Sequence, residues 1–274
     1  VACALASSFW ACTGVISNTP PQPDAGPPGN HALKFNGTSD YAQAGNANFV
    51  SSSTPQTVSL WYRAGEAREA GASEAGPGEA GTADAGGGTE DFLSLQKDTQ
   101  SGFHLGIKQG MLAAWREFED PQHPFLVAAA LPAPGVWHHV AYVLQTTGGP
   151  EIDYYNYLYV DGALVGVGTL APNNLTPILF MLGSSAQYTN HFAGELDEIR
   201  LWIVPLTQAK IQAEMLGQVG SVEPGLVAYF NCDQIVNGQL LLDQSGNGNN
   251  AVLGGGDARD MPTLVKSTVP EPSP

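Results

Sequence analysis

The side chains most suggestive of catalysis lie in one short run, Glu195-Leu-Asp-Glu-Ile199. Side chains two apart on a β-strand share a face, so Glu195 and Asp197 would stand together. A retaining glycosidase that works from one such strand needs three acids at alternating positions, a nucleophile, a helper Asp and an acid/base, with the two working carboxyl groups about 5 Å apart. The next position on that face is Ile199 and Glu198 points the other way, so a third working carboxylate is missing. The structural alternative is that Asp197 supports a loop or a metal while Glu198 pairs with an exposed neighbour such as Arg200. Nucleophilic chemistry has less support. There is no Gly-x-Ser-x-Gly elbow, and Cys232 has no local signature tying it to a histidine, so it reads as a small residue packed in or beside a strand. The catalytic residues read from the sequence are therefore none.

Metal and ligand chemistry can be read in the same way. Cys3, Cys12 and Cys232 form no Cys-x-x-Cys pair or zinc spacing. His138 and His139 are adjacent, so a strand turns them to opposite faces, one bonded to a backbone partner and the other facing solvent. Trp137 beside them reads as a core residue. Sugar rings stack on aromatic side chains, and Trp115, Tyr154, Tyr155, Tyr157 and Tyr188 are the candidates outside the expected core. Tyr155, Tyr157 and Tyr159 alternate with Tyr154 and Leu158, so one of these sets faces inward whichever register holds.

Short strands must position these groups. His31–Asn36 alternates with Leu33 and Phe35 on one face, and Asn36-Gly37 follows as a turn. Thr57–Arg63 places Val58, Leu60 and Tyr62 opposite Ser59, Trp61 and Arg63. Further strands are expected at Phe92–Lys97, Phe103–Lys108, Met111–Arg116, Val136–Gln145, Tyr154–Asp161, Leu164–Thr169, Pro177–Gly183 and Gly194–Trp202. One helix is expected, Leu206–Leu216, with Thr207 as its N-cap and Gly217 as its stop. This pattern predicts an all-β antiparallel sandwich of jelly-roll type with one short helix on its C-terminal side.

Composition agrees and excludes several functions. The chain has 274 residues, 33 of them Gly and 20 Pro, and only 13% are charged. Ten Lys and Arg stand against 26 Asp and Glu, a formal charge of -16. A surface so poor in cations cannot neutralise nucleic-acid phosphates or dock on anionic lipid, which removes nucleic acid as a partner. No run of 18 apolar residues exists, so no membrane-spanning helix is expected. Val1–Cys12 is apolar and rich in small residues, and the Pro-rich stretch Thr19–Gly29 follows it; residues 1–29 read as the tail of an export signal and a surface tether. Cys12, after Ala11, is the candidate for a lipid anchor of a bacterial lipoprotein. Residues 64–91 repeat Glu-Ala-Gly, with seven acids against the single base Arg68, and read as a disordered acidic insertion between two strands. The end of the chain, 267–274, reads as a tail.

Four segments in order carry a family resemblance: Ala32-Leu-Lys-Phe-Asn-Gly-Thr-Ser-Asp-Tyr41; Val58-Ser-Leu-Trp-Tyr62; Gly135-Val-Trp-His-His-Val-Ala141 with Leu158-Tyr-Val-Asp-Gly162; and Phe192-Ala-Gly-Glu-Leu-Asp-Glu-Ile-Arg-Leu-Trp202. The chain resembles laminin-G-like, concanavalin-A-like jelly-roll modules of secreted bacterial proteins, which are related to pentraxins. The resemblance implies one module over 30–266, with 219–266 either completing its sheets or beginning a truncated repeat. It implies a structural Ca²⁺ held by Asn36, Asp40 and Asp197, with the alternative that Asn36 and Asp40 bond their own backbone. The pentraxin-type ligand-gripping site keeps Asp98, but its later loop, Gly183–Tyr188, has no acid. The Asn36-Gly-Thr38 and Asn174-Leu-Thr176 sequons would matter only in a eukaryotic secretory pathway.

The expected function is non-catalytic: a secreted or surface-held module binding a glycan or a surface protein through Trp115, Tyr155, Tyr157 and Tyr188. Two alternatives stand beside it. One is a self-associating subunit of a surface layer, sheath or fibre, and the other is a glycosidase using Glu195 and Asp197.

Overall fold

Val58, Leu60 and Tyr62 point into the core while Ser59, Trp61 and Arg63 point away, although Ser59 and Trp61 are buried on the other face as well. The computed structural model describes residues 30–45, 54–66, 88–98, 101–116, 124–147, 152–172, 176–217 and 223–269. Cys3, Cys12, the tether, the middle of the Glu-Ala-Gly run, Asn174 and the last five residues lie outside them.

The described residues form β1 (His31–Asn36), β2 (Ala42–Gly45), β3 (Gln56–Ala64), β4 (Glu90–Asp98), β5 (Ser101–Lys108), β6 (Met111–Arg116), β7 (Val127–Ala130), β8 (His138–Thr146) and β9 (Tyr154–Val160). They continue with β10 (Ala163–Gly168), β11 (Leu179–Leu182), β12 (Ala193–Trp202), α1 (Gln208–Met215), β13 (Leu226–Phe230), β14 (Ile235–Val236), β15 (Leu240–Leu241), β16 (Ala251–Leu253) and β17 (Thr263–Lys266). Two antiparallel sheets face each other. One runs β10-β9-β8-β3-β12-β1-β17, with β13 also on β12; the other runs β14-β15-β16-β2-β11-β4-β5-β6-β7. Leu33, Phe35, Leu60, Phe103, Phe180 and Leu196, each at most 2% exposed, fill the space between them. At one side the sheets nearly touch: a β-carbon on Gly168 would lie 1.8 Å from the Leu126 carbonyl oxygen, so only glycine lets β10 approach β7 this closely.

The chain after α1 serves both sheets. β13 pairs with β12, β16 pairs with β2, and β17 pairs with β1 in the register Leu33↔Leu264. The Ser267 N–H donates to the Asn30 carbonyl at 2.8 Å, so the two ends of the described chain lie side by side. The expected insertion is shorter at its borders than the composition suggests, because Ala64 ends β3 and Glu90 and Asp91 begin β4. Asp91 is fully buried, with both carboxylate oxygens 3.1 Å from His104 Nδ1.

Helix α1 lies across the outer face of the eight-stranded sheet, where Ile211 packs on Ala141, Val143 and Tyr159. Thr207 caps it, its side chain accepting the Lys210 N–H at 3.3 Å. A helix end leaves carbonyls without partners, and here the sheet supplies them. Arg200 donates to Glu214 O and Gly217 O at 3.2 Å each, and Trp61 Nε1 donates to Met215 O at 3.0 Å. A β-bulge makes this possible. Two residues of β12, Glu198 and Ile199, oppose Leu60 alone, and Glu198 takes a left-handed φ of 53°. The alternation therefore shifts, and Arg200 joins Asp197 on the outer face. Among the described residues no helix is long and apolar enough to cross a membrane.

Candidate functional site

Three segments far apart in sequence meet in a surface cleft of about 280 Å³ lined by Thr38, Ser39, Tyr41, Tyr188, His191 and Asp260. The first wall is the turn after β1. Asn36 Oδ1 accepts the N–H groups of Thr38, Ser39 and Asp40 at 2.8, 2.9 and 3.2 Å, and the Asp40 carboxylate accepts Asn36 N–H and Nδ2 at 2.9 and 2.8 Å. This is an Asx-type turn closed upon itself. It fixes the Thr38 and Ser39 hydroxyls at the rim. Burial pushes the Asp40 carboxyl up, against the lowering effect of the Asn36 N–H; Asp260 raises it further and His191 lowers it.

Tyr41 is stitched to the C-terminal loop, donating from N–H to Asp260 O at 3.1 Å and accepting from Gly254 N–H at 2.8 Å. Gly255, at φ +56°, lets the tyrosine hydroxyl lie where a β-carbon would sit 2.6 Å away. The second aromatic, Tyr188, stands at the tip of the β11–β12 loop with φ 54° and 52% exposure. Its N–H donates to Ser185 O at 2.9 Å, and its carbonyl accepts His191 Nε2 at 2.9 Å. The two tyrosine rings lie 5.0 Å apart, tilted by 59°. Burial raises the Tyr41 phenol pKa, and Tyr188 and Asp260 raise it further.

A second cleft, of about 350 Å³, lies where β9 begins and β10 ends, lined by Ile152, Asp153, Tyr154, Tyr155, Thr169 and Ala171. Tyr155 lines it, and the Tyr157 ring follows at 6.3 Å, nearly parallel. Tyr155, Tyr157 and Tyr159 form the outward set, while Tyr154 and Leu158 pack on the core side. Two stretches bordering this cleft, 148–151 and 173–175, lie outside the described residues, so the first cleft carries the functional argument.

Several expectations need correction. Trp115 is not a surface platform: at 2% exposure it stacks on His104, 5.2 Å away and 7° from parallel. It lies on the outer face of its sheet, but that face is not solvent there. Trp137, expected in the core, is half-buried at the rim, with Nε1 donating to Thr268 Oγ1 at 3.1 Å and the Arg63 guanidinium over its ring. His138 bonds the Asp161 carboxylate at 2.9 Å rather than a backbone group. His139 is 1% exposed, edge-on to Trp61, and burial drives its pKa down to about 3, with Arg200 adding to the effect.

The three expected calcium ligands do not converge. Asn36 pairs with Ala193, and Asp197 lies four residues further along β12, about 13 Å away. Asp197 is fully buried, its oxygens accepting Ser267 Oγ at 2.6 Å and Glu198 N–H at 2.8 Å, and burial holds its carboxyl well above the usual range. Among the described residues no three His, Cys, Asp or Glu side chains converge to hold a metal ion. Asn36, Asp40 and Asp197 do not fit a calcium site.

The acids of the 195–198 run are occupied in the same way. Glu195 pairs with Arg63 across the strands at 2.5 Å. Glu198 meets the Arg200 guanidinium and accepts the Tyr229 hydroxyl at 2.8 Å. Arg200 is not the exposed neighbour expected, being 1% exposed and also lying over the Tyr229 ring. Cys232 is fully buried, as a small packed residue.

Of the sequence candidates, the structure brings Tyr188 together with the Asn36–Asp40 turn and separates both from Trp115, Tyr155 and Tyr157. Sequence reasoning missed His191, Asp260 and the cleft-facing side of Tyr41. The available signal was Gly254-Gly-Gly-Asp-Ala-Arg-Asp260, a glycine run leading to an acid that is half-buried in the structure.

The sequence pattern of the Concanavalin A-like lectin/glucanases superfamily matches residues 36–212, more than half of the chain. No curated relative matches. Among solved structures the fold is similar to that of a provisionally assigned carbohydrate-binding protein from Bacteroides ovatus ATCC 8483. That likeness has a TM-score of 0.59 and 16% identity, covering 89% of this chain and 62% of that one. The heptameric SAP-like pentraxin of Limulus polyphemus gives 0.49 at 12% identity, over 88% of this chain and 97% of that one. This chain thus spans less than two thirds of the Bacteroides protein.

Proposed function

On the premise that this chain belongs to the Concanavalin A-like lectin/glucanases superfamily, we propose that it is a non-catalytic carbohydrate-binding module whose ligand sits in the Tyr41–Tyr188 cleft. One observation carries the reading: two tyrosine rings 5.0 Å apart, one of them 52% exposed, are flanked by two hydroxyls, a histidine and a carboxylate. A sugar ring offers an apolar face for stacking and a rim of hydroxyls for hydrogen bonds, and this lining answers both. The absence of a catalytic role is supported by Glu195 and Asp197, whose carboxylates are engaged by Arg63 and Ser267.

The test is a glycan-array screen of the chain, followed by titration of the best ligand against Tyr188→Ala. The reading predicts selective binding that weakens roughly tenfold when the exposed ring is removed. A blank array, or binding untouched by Tyr188→Ala, overturns it.

One feature favours a second reading, self-association. Edge strand β10 exposes Leu164, Val165 and Val167, at 45, 44 and 56%. Light scattering across a concentration series reports on it, and a monomer at every concentration rejects it.

A further inference from the structure

We infer that the Tyr41–Tyr188 cleft selects an amino sugar carrying a free ammonium group over neutral and acidic sugars; this rests on the carbohydrate reading above. The argument starts from charge. Asp260 is the single carboxylate in the lining. Among the described residues no hydrogen bond or ion pair engages its carboxylate. The nearby acids are engaged. Asp40 is closed by Asn36, and Asp257 holds Arg259 at 2.5 Å. That salt bridge also matters in reverse, because it commits the adjacent cation to Asp257, on a side chain 86% exposed. No lysine or arginine lines the cleft, and His191 donates Nε2 to the Tyr188 carbonyl.

The aromatic pair points the same way. Tyrosine faces carry negative quadrupole charge, and two of them tilted at 59° beside a carboxylate form a cradle for a cation. The field of Asp260 reaches into the cleft, where it raises the pKa of both Tyr41 and Asp40. A uronic or sulfated sugar would meet that carboxylate with no lysine or arginine in the lining to offset it. An N-acetylated sugar would fill the space and leave the charge unanswered. An ammonium on the sugar ring satisfies Asp260 while the ring stacks on Tyr188 and its hydroxyls reach Thr38 and Ser39.

The experiment is calorimetric titration at physiological ionic strength, where diffuse attraction to the -16 chain is largely screened. The probes are a glucosamine trisaccharide, its fully N-acetylated form and a galacturonic acid trisaccharide. The glucosamine form is expected to bind roughly three- to tenfold tighter than the N-acetylated form, as suits a partly exposed ion pair with an aromatic contribution, and the uronic form is expected not to bind. Asp260→Asn should erase the preference, Asp260→Glu should restore part of it, and Asp153→Asn in the other cleft should leave it unchanged. Equal binding of the two glucosamine forms, or a preference that survives Asp260→Asn, overturns the inference and leaves the carbohydrate reading standing. Failure of every sugar to bind overturns both.

Discussion

Glu198 and Asp260 each sit where the chain leaves regular geometry, one in a bulge and the other in a loop, yet their surroundings are opposite. Glu198 is enclosed: Arg200 meets it, the Tyr229 hydroxyl donates to it, and burial still pushes its pKa up. Asp260 faces a cleft with no partner for its carboxylate among the described residues. The contrast separates two uses of acid residues. In the scaffold the carboxylates of Glu195, Asp197 and Glu198 each have hydrogen-bonding partners, because a buried charge without a partner costs several kcal/mol. In a recognition site the partner is left for the ligand to supply. Residue type and spacing do not tell the two apart, and the catalytic-looking run 195–198 has its acids engaged by Arg63, Ser267 and Arg200.

The enclosed side should be the more fragile. Arg200→Ala would strip the last turn of α1 of two donors and leave Glu198 without its cation, and we expect a loss of about 3–5 kcal/mol in urea unfolding. A loss below about 1 kcal/mol would mean that this network carries little of the fold and would erase the contrast.

One buried group of the same region, His139, should work against folding in acid, while the raised pKa values of Asp197 and Glu198 act the other way. His139 titrates near pH 3 in the folded state and near 6.5 when unfolded, so below pH 6.5 the unfolded chain binds the extra proton. Its contribution to stability is full above pH 6.5 and is lost at up to about 1.4 kcal/mol per pH unit as pH falls toward 3. In urea unfolding over that range, His139→Leu should change the slope of midpoint against pH by removing this loss. An unchanged slope in that variant would assign the acid response to other groups.

On the open side the effects on stability shrink and those on binding grow. Gly255→Ala forces a left-handed alanine and drives its methyl into the Tyr41 hydroxyl, and we expect a cost of about 1–2 kcal/mol together with weakened sugar binding. Wild-type affinity in that variant would show that Tyr41 does not shape the cleft. For Tyr188→Ala, a surface tip, stability should stay within about 0.5 kcal/mol while binding falls.

The strands that alternate cleanly were legible in the sequence: β6 lies at its expected bounds, and β3 and β12 within a residue of them. The two- to four-residue strands β2 and β14–β17 escaped, because a period of two needs more residues to stand out. Arg200 was misjudged because the bulge rests on Glu198 taking a conformation that patterning assigns to glycine. Trp115 was misjudged because outward-facing does not mean exposed. Tyr188 was readable as a loop aromatic. Asp260 was not, since the pairing that brings it to Tyr41 joins residues 219 apart in the chain, and no local signal encodes such a contact.

The pairing of Ser267 with Asn30 sets the direction in which the module faces. β1 and β17 run side by side and antiparallel, so Asn30 and Ser267 lie together at one end of this pair. The Asn36 turn and Asp260 lie at the other end, about 20 Å away along a six-residue strand. The Tyr41–Tyr188 cleft therefore lies at the end of the β1–β17 pair opposite Asn30 and Ser267, so a ligand entering it would approach from the side remote from that pairing.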